Sequence, residues 1–561
     1  MQENIVSKRS SLPSVLARLQ LQHQFLACPR RVLELTSPTL NLDLRTVTHF
    51  KSAPATHSIA DASSRSPDHL GSACCTHDSV KKRCPWSGLM ACPRVAVLSS
   101  SSVGTVNRFL PIVSELVQHK CEVRYYIADP AFEEAIQQTG AATELFDDFC
   151  GCWPDLLAQD AQSFFHSEKV PTVVKEYMEL ERYFYALPAG VCLARRLLQL
   201  WEAPGAWVPS LVIYSVADLH PRLVSTKLGI PCVAVVPFFL VDRYPACLSD
   251  EQRGSWPGAV VEHESVQAAN AIAQDEFGTN CLKEFLPCRY FSRCLNVVAS
   301  IPQIEREETL DQSWMKELAF VWVGFTGNQT HHINGVFVRD SNKLHRLPSD
   351  VSAVDCPWRM PLPGGVKILV VSLGSHIVGD GWNALHKSES GPVTGRDFSR
   401  RVWRELVENF RGRNDVRVVI SIGPQPDACE GLGKIPGNFI ARRSIAQMDA
   451  LSRASAFITH GGRNSVMEGL VAGLPLVLIP CKTDDQEMAK LIERSGAGVV
   501  LWKPMEAPAG AIAQAGHAAM FGSAAASQRL RSEELGAQLR AAGGSPAAAE
   551  ACLEQLQYQW S

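Results

Sequence analysis

Residues 456–471 read Ala456-Phe457-Ile458-Thr459-His460-Gly461-Gly462-Arg463-Asn464-Ser465-Val466-Met467-Glu468-Gly469-Leu470-Val471. A short apolar run ends at a histidine, two glycines turn the chain, and helical spacing begins near Asn464. Such a strand–turn–helix aims backbone N–H groups and the positive end of a helix at one point, where an anion is held. His460, Asn464 and Ser465 add side-chain donors. Glu468, one helical turn beyond Asn464, sets a carboxylate where a ribose diol can be gripped. The plainer alternative is an ordinary helix start capped by Asn464 or Ser465. The ordered run of His, two Gly, Asn, Ser and Glu favours the binding site.

Outward from this stretch the same alternation recurs. Towards the C-terminus, Leu476 to Pro480 reads as a strand and Gln486 to Ser495 as a helix. Towards the N-terminus, Lys367 to Ser375 (K-I-L-V-V-S-L-G-S) is a strand entering a Gly-Ser turn, and Ser375 offers a second phosphate contact. An earlier set opens with the strand Arg94 to Ser100, a helix over Asn107 to Gln118, and strands at Glu122 to Ala128, Leu211 to Ser215 and Cys232 to Pro237. Apolar strands alternating with helices predict parallel sheets covered on both faces. Two such sets, separated by a polar, Pro-rich stretch at Gly327 to Gly365, predict an α/β protein of two Rossmann-like doubly wound domains facing a central cleft. The expected boundaries are 91–345 for the N-terminal domain and 346–561 for the C-terminal domain with closing helices.

Composition limits the rest. Of 561 residues, 46% are apolar and 20% charged, a globular balance. Lys plus Arg number 54 against 57 Asp plus Glu, and the net charge of −3 argues against nucleic acid as a partner. The eighteen cysteines contain no C-x-x-C pair, which removes zinc-ribbon and thioredoxin readings. Cys232 and Cys294 read as small buried hydrophobes. No uncharged apolar run reaches the roughly 18 residues of a membrane span, so a soluble, cytoplasmic protein is expected. Residues 1–90 hold eleven Lys or Arg against six Asp or Glu and are rich in serine. They read as a disordered leader or a transit-like extension capable of organelle targeting, and Met90 stands where a compact protein can begin.

The segment 456–500 resembles the nucleotide-sugar signature of the family 1 UDP-glycosyltransferases, above all their macrolide-glycosyltransferase branch. The resemblance runs over about 94–560: Val103-Gly104-Thr105-Val106-Asn107-Arg108-Phe109-Leu110-Pro111 is similar to the family's first loop, and Ser372-Leu373-Gly374-Ser375 to the opening of its second domain. It implies a GT-B fold, a UDP-sugar as co-substrate, no required cofactor or metal, and inverting transfer of a hexose to a lipophilic small-molecule acceptor. By resemblance His460, Gly461, Gly462, Asn464 and Ser465 bind the diphosphate and Glu468 the ribose. The family's acidic-Gln pair for the sugar hydroxyls falls on Asp485-Gln486, or on Asp484 by its spacing from His460. The base-stacking Trp of the family falls on Ser444, with Gln447 kept three residues on. Arg463, where plant relatives carry Trp, is either a solvated side chain or an added phosphate ligand.

The departure is catalytic. The family's general-base His position holds Thr105, and the position of the Asp that orients it holds Ser215. A threonine hydroxyl ionises far too high to act as a base at neutral pH. Asp218 and His220, just past the same strand, and His376, past the Gly-Ser turn, are the candidate substitutes. A binding protein without turnover, or a glycan-elongating GT-B enzyme, is the alternative function.

Overall fold

The computed structural model describes residues 92–147, 178–237, 264–284, 290–305, 310, 313–327, 336–340, 343–347, 357–359, 363–379, 381–388, 391–481 and 483–556. The expected leader at 1–90 lies outside them.

Seven strands build the first sheet: β1 (Arg94–Leu98), β2 (Glu122–Ile127), β3 (Ala142–Leu145), β4 (Leu211–Ser215), β5 (Cys232–Val236), β6 (Leu295–Val298) and β7 (Phe320–Trp322). Their spatial order is β3-β2-β1-β4-β5-β6-β7, and every pair is parallel. Side chains alternate across a strand, so β1 feeds two cores. Ala96 and Leu98 join Tyr214, Leu197 and Leu223 on one face. Val95 and Val97 join Phe109 and Val113 on the other. The covering helices include α1 (Val103–Gln118), α2 (Met178–Glu202), α3 (Leu219–Leu228) and α4 (Glu264–Phe277).

A hairpin of β8 (Val336–Asp340) and β9 (Lys343–Leu347) follows. The second sheet holds β10 (Lys367–Ser372), β13 (Val416–Ser421), β14 (Phe439–Arg442), β15 (Ala456–Thr459), β16 (Leu476–Leu478) and β17 (Gly498–Val500), with β11 (Leu385–Ser388) and β12 (Gly391–Thr394) forming a separate hairpin. Its order, β14-β13-β10-β15-β16-β17, is the dinucleotide-fold order. The helices of this half are α5 (Gly395–Phe410), α6 (Arg463–Val471), α7 (Thr483–Ser495), α8 (Ala511–Phe521), α9 (Ala525–Ala541) and α10 (Gly544–Glu554).

Three sequence expectations change. The first helix begins at Val103 rather than at Asn107, because the Ser102 hydroxyl accepts from the Thr105 N–H at 3.3 Å, so Val103 to Val106 joins the expected helix. The boundary at 345/346 assigns α10 to the second domain, yet its Ala548, Cys552 and Leu553 pack with Val95, Val97 and Phe109 in the first core. Cys232 is buried as expected, but Cys294, just before β6, is exposed.

In the second sheet the chain reverses direction of growth beside β10, which lies between β13 and β15. Ligands of open α/β sheets bind at the carboxyl ends of the strands flanking such a switch point. Here those ends are Ser372-Leu373-Gly374 and Thr459-His460-Gly461, with Ser372 and Thr459 paired in register. That is where the motif sits.

Candidate functional site

β15 is buried along its whole length and delivers His460 to the sheet edge. Gly461 follows at φ +98°, a left-handed turn that a residue with a Cβ adopts only under strain. Gly462 then stands at the start of α6 with no side chain capping it. The sequence's plainer reading, capping by Asn464 or Ser465, therefore does not describe this helix start. An uncapped start keeps its N–H groups available to an anion.

The His460 ring is held in a narrow slot. A Cβ on Gly374 would lie 2.3 Å from its Cε1, and one on Gly462 2.3 Å from its Nε2. Thr459 Oγ1 is 3.3 Å from Nδ1, and Asp485 Oδ1 is 3.9 Å from Nε2. Asp485 is buried, at the start of α7. Of the two registers left open by the sequence, Asp485 is the one seen beside His460; the Asp484 side chain lies outside the described residues, and Gln486 is half-buried.

Gln447 joins the ribose side of the motif. Its amide donates to Ser465 Oγ at 3.4 Å and to Glu468 Oε2. Glu468 and Ser465 are buried. Ser444 is buried in the link between β14 and the short helix Gln447–Leu451. Ser375 is exposed, at the start of a single turn over Ser375–Val378.

Asn464 does something the sequence does not show. Its Oδ1 accepts from Arg108 Nε at 2.6 Å, and its Nδ2 donates to the Gly104 carbonyl at 3.1 Å. Both partners belong to α1, in the first half of the chain. Arg108 is only 2% exposed, with Nη2 3.5 Å from Met467 Sδ and the Phe325 ring 5.2 Å away. Arg463, read as either solvated or a phosphate ligand, is buried in an ion pair with Glu305. Arg108 is the residue that sequence reasoning missed. The available signal was a single cation among Val106, Phe109, Leu110 and Ile112, on a helix whose other buried positions are uncharged.

The family model described as erythromycin biosynthesis protein CIII-like, C-terminal domain, matches residues 405–541. The uncharacterized UDP-glucosyltransferase YojK of Bacillus subtilis is 40% identical over 152 residues, 27% of this chain and 35% of that relative, so the chain matches about a third of its length. NDP-glycosyltransferase YjiC of Bacillus subtilis is 23% identical over 415 residues, 73% of this chain and 84% of the relative. The crystal structure of the glycotransferase of kitacinnamycin superposes with a TM-score of 0.58 at 20% identity, covering 83% of this chain and all of the other. The fold is GT-B. These likenesses support a macrolide-glycosyltransferase-like family 1 glycosyltransferase.

The candidate bases lie as follows. The Thr105 hydroxyl is bonded to Ser102 Oγ at 2.8 Å and serves the start of α1. Ser215 is fully buried, its Oγ 3.4 Å from the Ala217 N–H. Asp218 is 1% exposed and lies at the N-terminus of α3, in the electrostatic neighbourhood of Tyr125. His220 is buried and stacks on Phe146, ring centres 5.8 Å apart. Burial alone draws its imidazolium down to about 3, so the ring is neutral and only weakly basic at pH 7. His376 is exposed beside the Gly374 turn, its ring 5.6 Å from that of His386. Among the described residues no helix is long and apolar enough to cross a membrane.

Proposed function

We propose that this protein transfers a hexose from a UDP-sugar to a lipophilic small-molecule acceptor with inversion at the sugar carbon. The observation that carries the reading is the uncapped start of α6 at the switch point, with His460 in the Gly374–Gly462 slot and Glu468 one turn further on. The helix start and His460 hold the diphosphate and spread the charge that grows on it as the glycosidic bond breaks. Glu468, oriented by Gln447, holds the ribose diol. In this reading Asp485-Gln486 is the pair that binds the sugar hydroxyls. The nucleotide sugar is a co-substrate, and the reading needs no resident cofactor. The resemblance to YjiC, an NDP-glycosyltransferase, supports a nucleotide-diphosphate donor, and that to YojK supports uridine.

With threonine at the family's base position, the acceptor itself supplies much of the nucleophilicity. A positioned base is typically worth about 10²–10⁴-fold, so acidic phenols and thiols are transferred faster than plain alcohols. The test pairs calorimetry of UDP and dTDP on the full chain with a transfer assay using UDP-glucose and a phenol, a thiol and an alcohol series. Binding of UDP with transfer in the order of acceptor acidity supports the proposal. Absence of UDP binding at millimolar concentration removes the donor assignment, and binding without transfer removes the enzyme.

A further inference from the structure

Arg108 is a buried cation brought to the donor site by the other half of the molecule. Its Nε is bonded to Asn464, its Nη2 leans on Met467, and its plane lies near Phe325. Nη1 is buried and has no hydrogen-bond partner among the described residues. Leaving a buried charged donor unmatched is unfavourable, and the guanidinium normally uses all of its N–H groups.

Among the described residues the surrounding charges do not supply the missing acceptor. Arg463, close enough to repel Arg108, is paired with Glu305. Glu468 attracts Arg108 from the same helix but is engaged by Gln447. Burial, only partly offset by Glu468, brings the Arg108 guanidinium down to about 10, which keeps it charged at neutral pH. Meanwhile Asn464, which the family resemblance makes a diphosphate ligand, has its oxygen given to Arg108 and its nitrogen to Gly104. Both polar atoms of the Asn464 amide are thus engaged, and a cation stands one hydrogen bond away.

We propose that Arg108 is a diphosphate-binding residue, supplied by the first domain, whose Nη1 takes a phosphoryl oxygen of the bound nucleotide at the start of α6. The proposal rests on the donor reading above. Its chemistry is a charge-assisted N–H to O⁻ bond, which is stronger than the amide contact it replaces. Asn464 becomes the residue that orients the guanidinium. Because α1 belongs to the first domain, nucleotide binding is then read by both halves of the molecule.

The experiment compares UDP with uridine by calorimetry on the full-length wild type, Arg108→Lys and Arg108→Met, with melting temperatures recorded to confirm folding. A phosphate contact weakens UDP binding by roughly 10–100-fold in Arg108→Met while uridine binding stays near wild type. Arg108→Lys, which keeps the charge, loses less UDP affinity than Arg108→Met. Equal losses for UDP and uridine, or equal losses for the two variants, overturn the proposal and leave Arg108 as an interdomain clasp. If Arg108→Met does not fold, Arg108→Lys decides alone: an unchanged ratio of UDP to uridine affinity, together with unchanged salt dependence of UDP binding, overturns the proposal. A wild type that binds neither ligand overturns the donor reading itself.

Discussion

Gly374 and His460 face one another across the switch point at a spacing that admits no side chain on the glycine. A Cβ there would sit 2.3 Å from Cε1, 2.6 Å from Nε2 and 3.0 Å from Nδ1 of the imidazole. Gly374 also has φ +82°, in the left-handed region. Two independent constraints therefore meet at one residue.

Gly374→Ala should cost roughly 2–4 kcal/mol of stability, adding backbone strain to overpacking. Gly462→Ala has only the second penalty, because its φ is −57°, and should cost roughly 1–3 kcal/mol. Adding His460→Ala to Gly374→Ala removes the collision and should restore part of the lost stability without restoring UDP binding. Urea denaturation of the four proteins, with the double variant completing the cycle, measures this coupling. Additive effects would mean that the ring does not occupy the slot.

Much of this site was legible because it is local. His460, the two glycines and Glu468 lie within nine positions of one another, and a strand followed by a turn and a helix leaves its mark in so short a window. The Arg108–Asn464 bond spans 356 positions, and no periodicity reports on such a pair. The start of α1 was readable in principle: Ser102 stands three residues before Thr105, the spacing of a cap. The place of α10 was not readable, since its apolar spacing says that it packs but not on which sheet.

Glu468→Ala should weaken UDP affinity by about 10–100-fold, since it removes a carboxylate acceptor and strands the Gln447 amide. Glu468→Gln should fall between the two. Calorimetry with UDP and with 2′-deoxy-UDP checks the assignment. A ribose contact makes the wild type discriminate between them, and the alanine variant should lose that discrimination.

Glu305→Ala should be among the most destabilising single changes in the chain, at about 3–5 kcal/mol. It leaves Arg463 as a buried charge without its carboxylate, and both side chains of the pair are at most 5% exposed. Because the pair is shielded from solvent, its contribution should change little between low and high salt. Guanidinium chloride cannot separate charge from denaturant, so the measurement is urea unfolding at two salt concentrations.

His220 gives stability a pH dependence of known sign. Its folded-state value lies near 3 against an ordinary 6.5, so between those limits the unfolded chain takes up a proton that the folded chain refuses. Its contribution is intact above about pH 6.5 and declines by about 1.4 kcal/mol per pH unit as the pH falls towards 3. Between pH 7 and pH 5, His220→Phe should therefore lose about 2 kcal/mol less stability than the wild type. Equal losses in the two proteins would show that the ring is protonated in the folded state.

The position of α10 has a consequence for how the molecule comes into being. A chain is made from its N-terminus, and early domains ordinarily close while later ones are still being synthesised. Here one wall of the first core is supplied by Ala548, Ala549, Cys552 and Leu553. The first half therefore waits on the ribosome, holding Phe109 and Val113 uncovered until almost all of the second half has been translated. A polypeptide interrupted before residue 544 lacks those four side chains and leaves their share of the core in water.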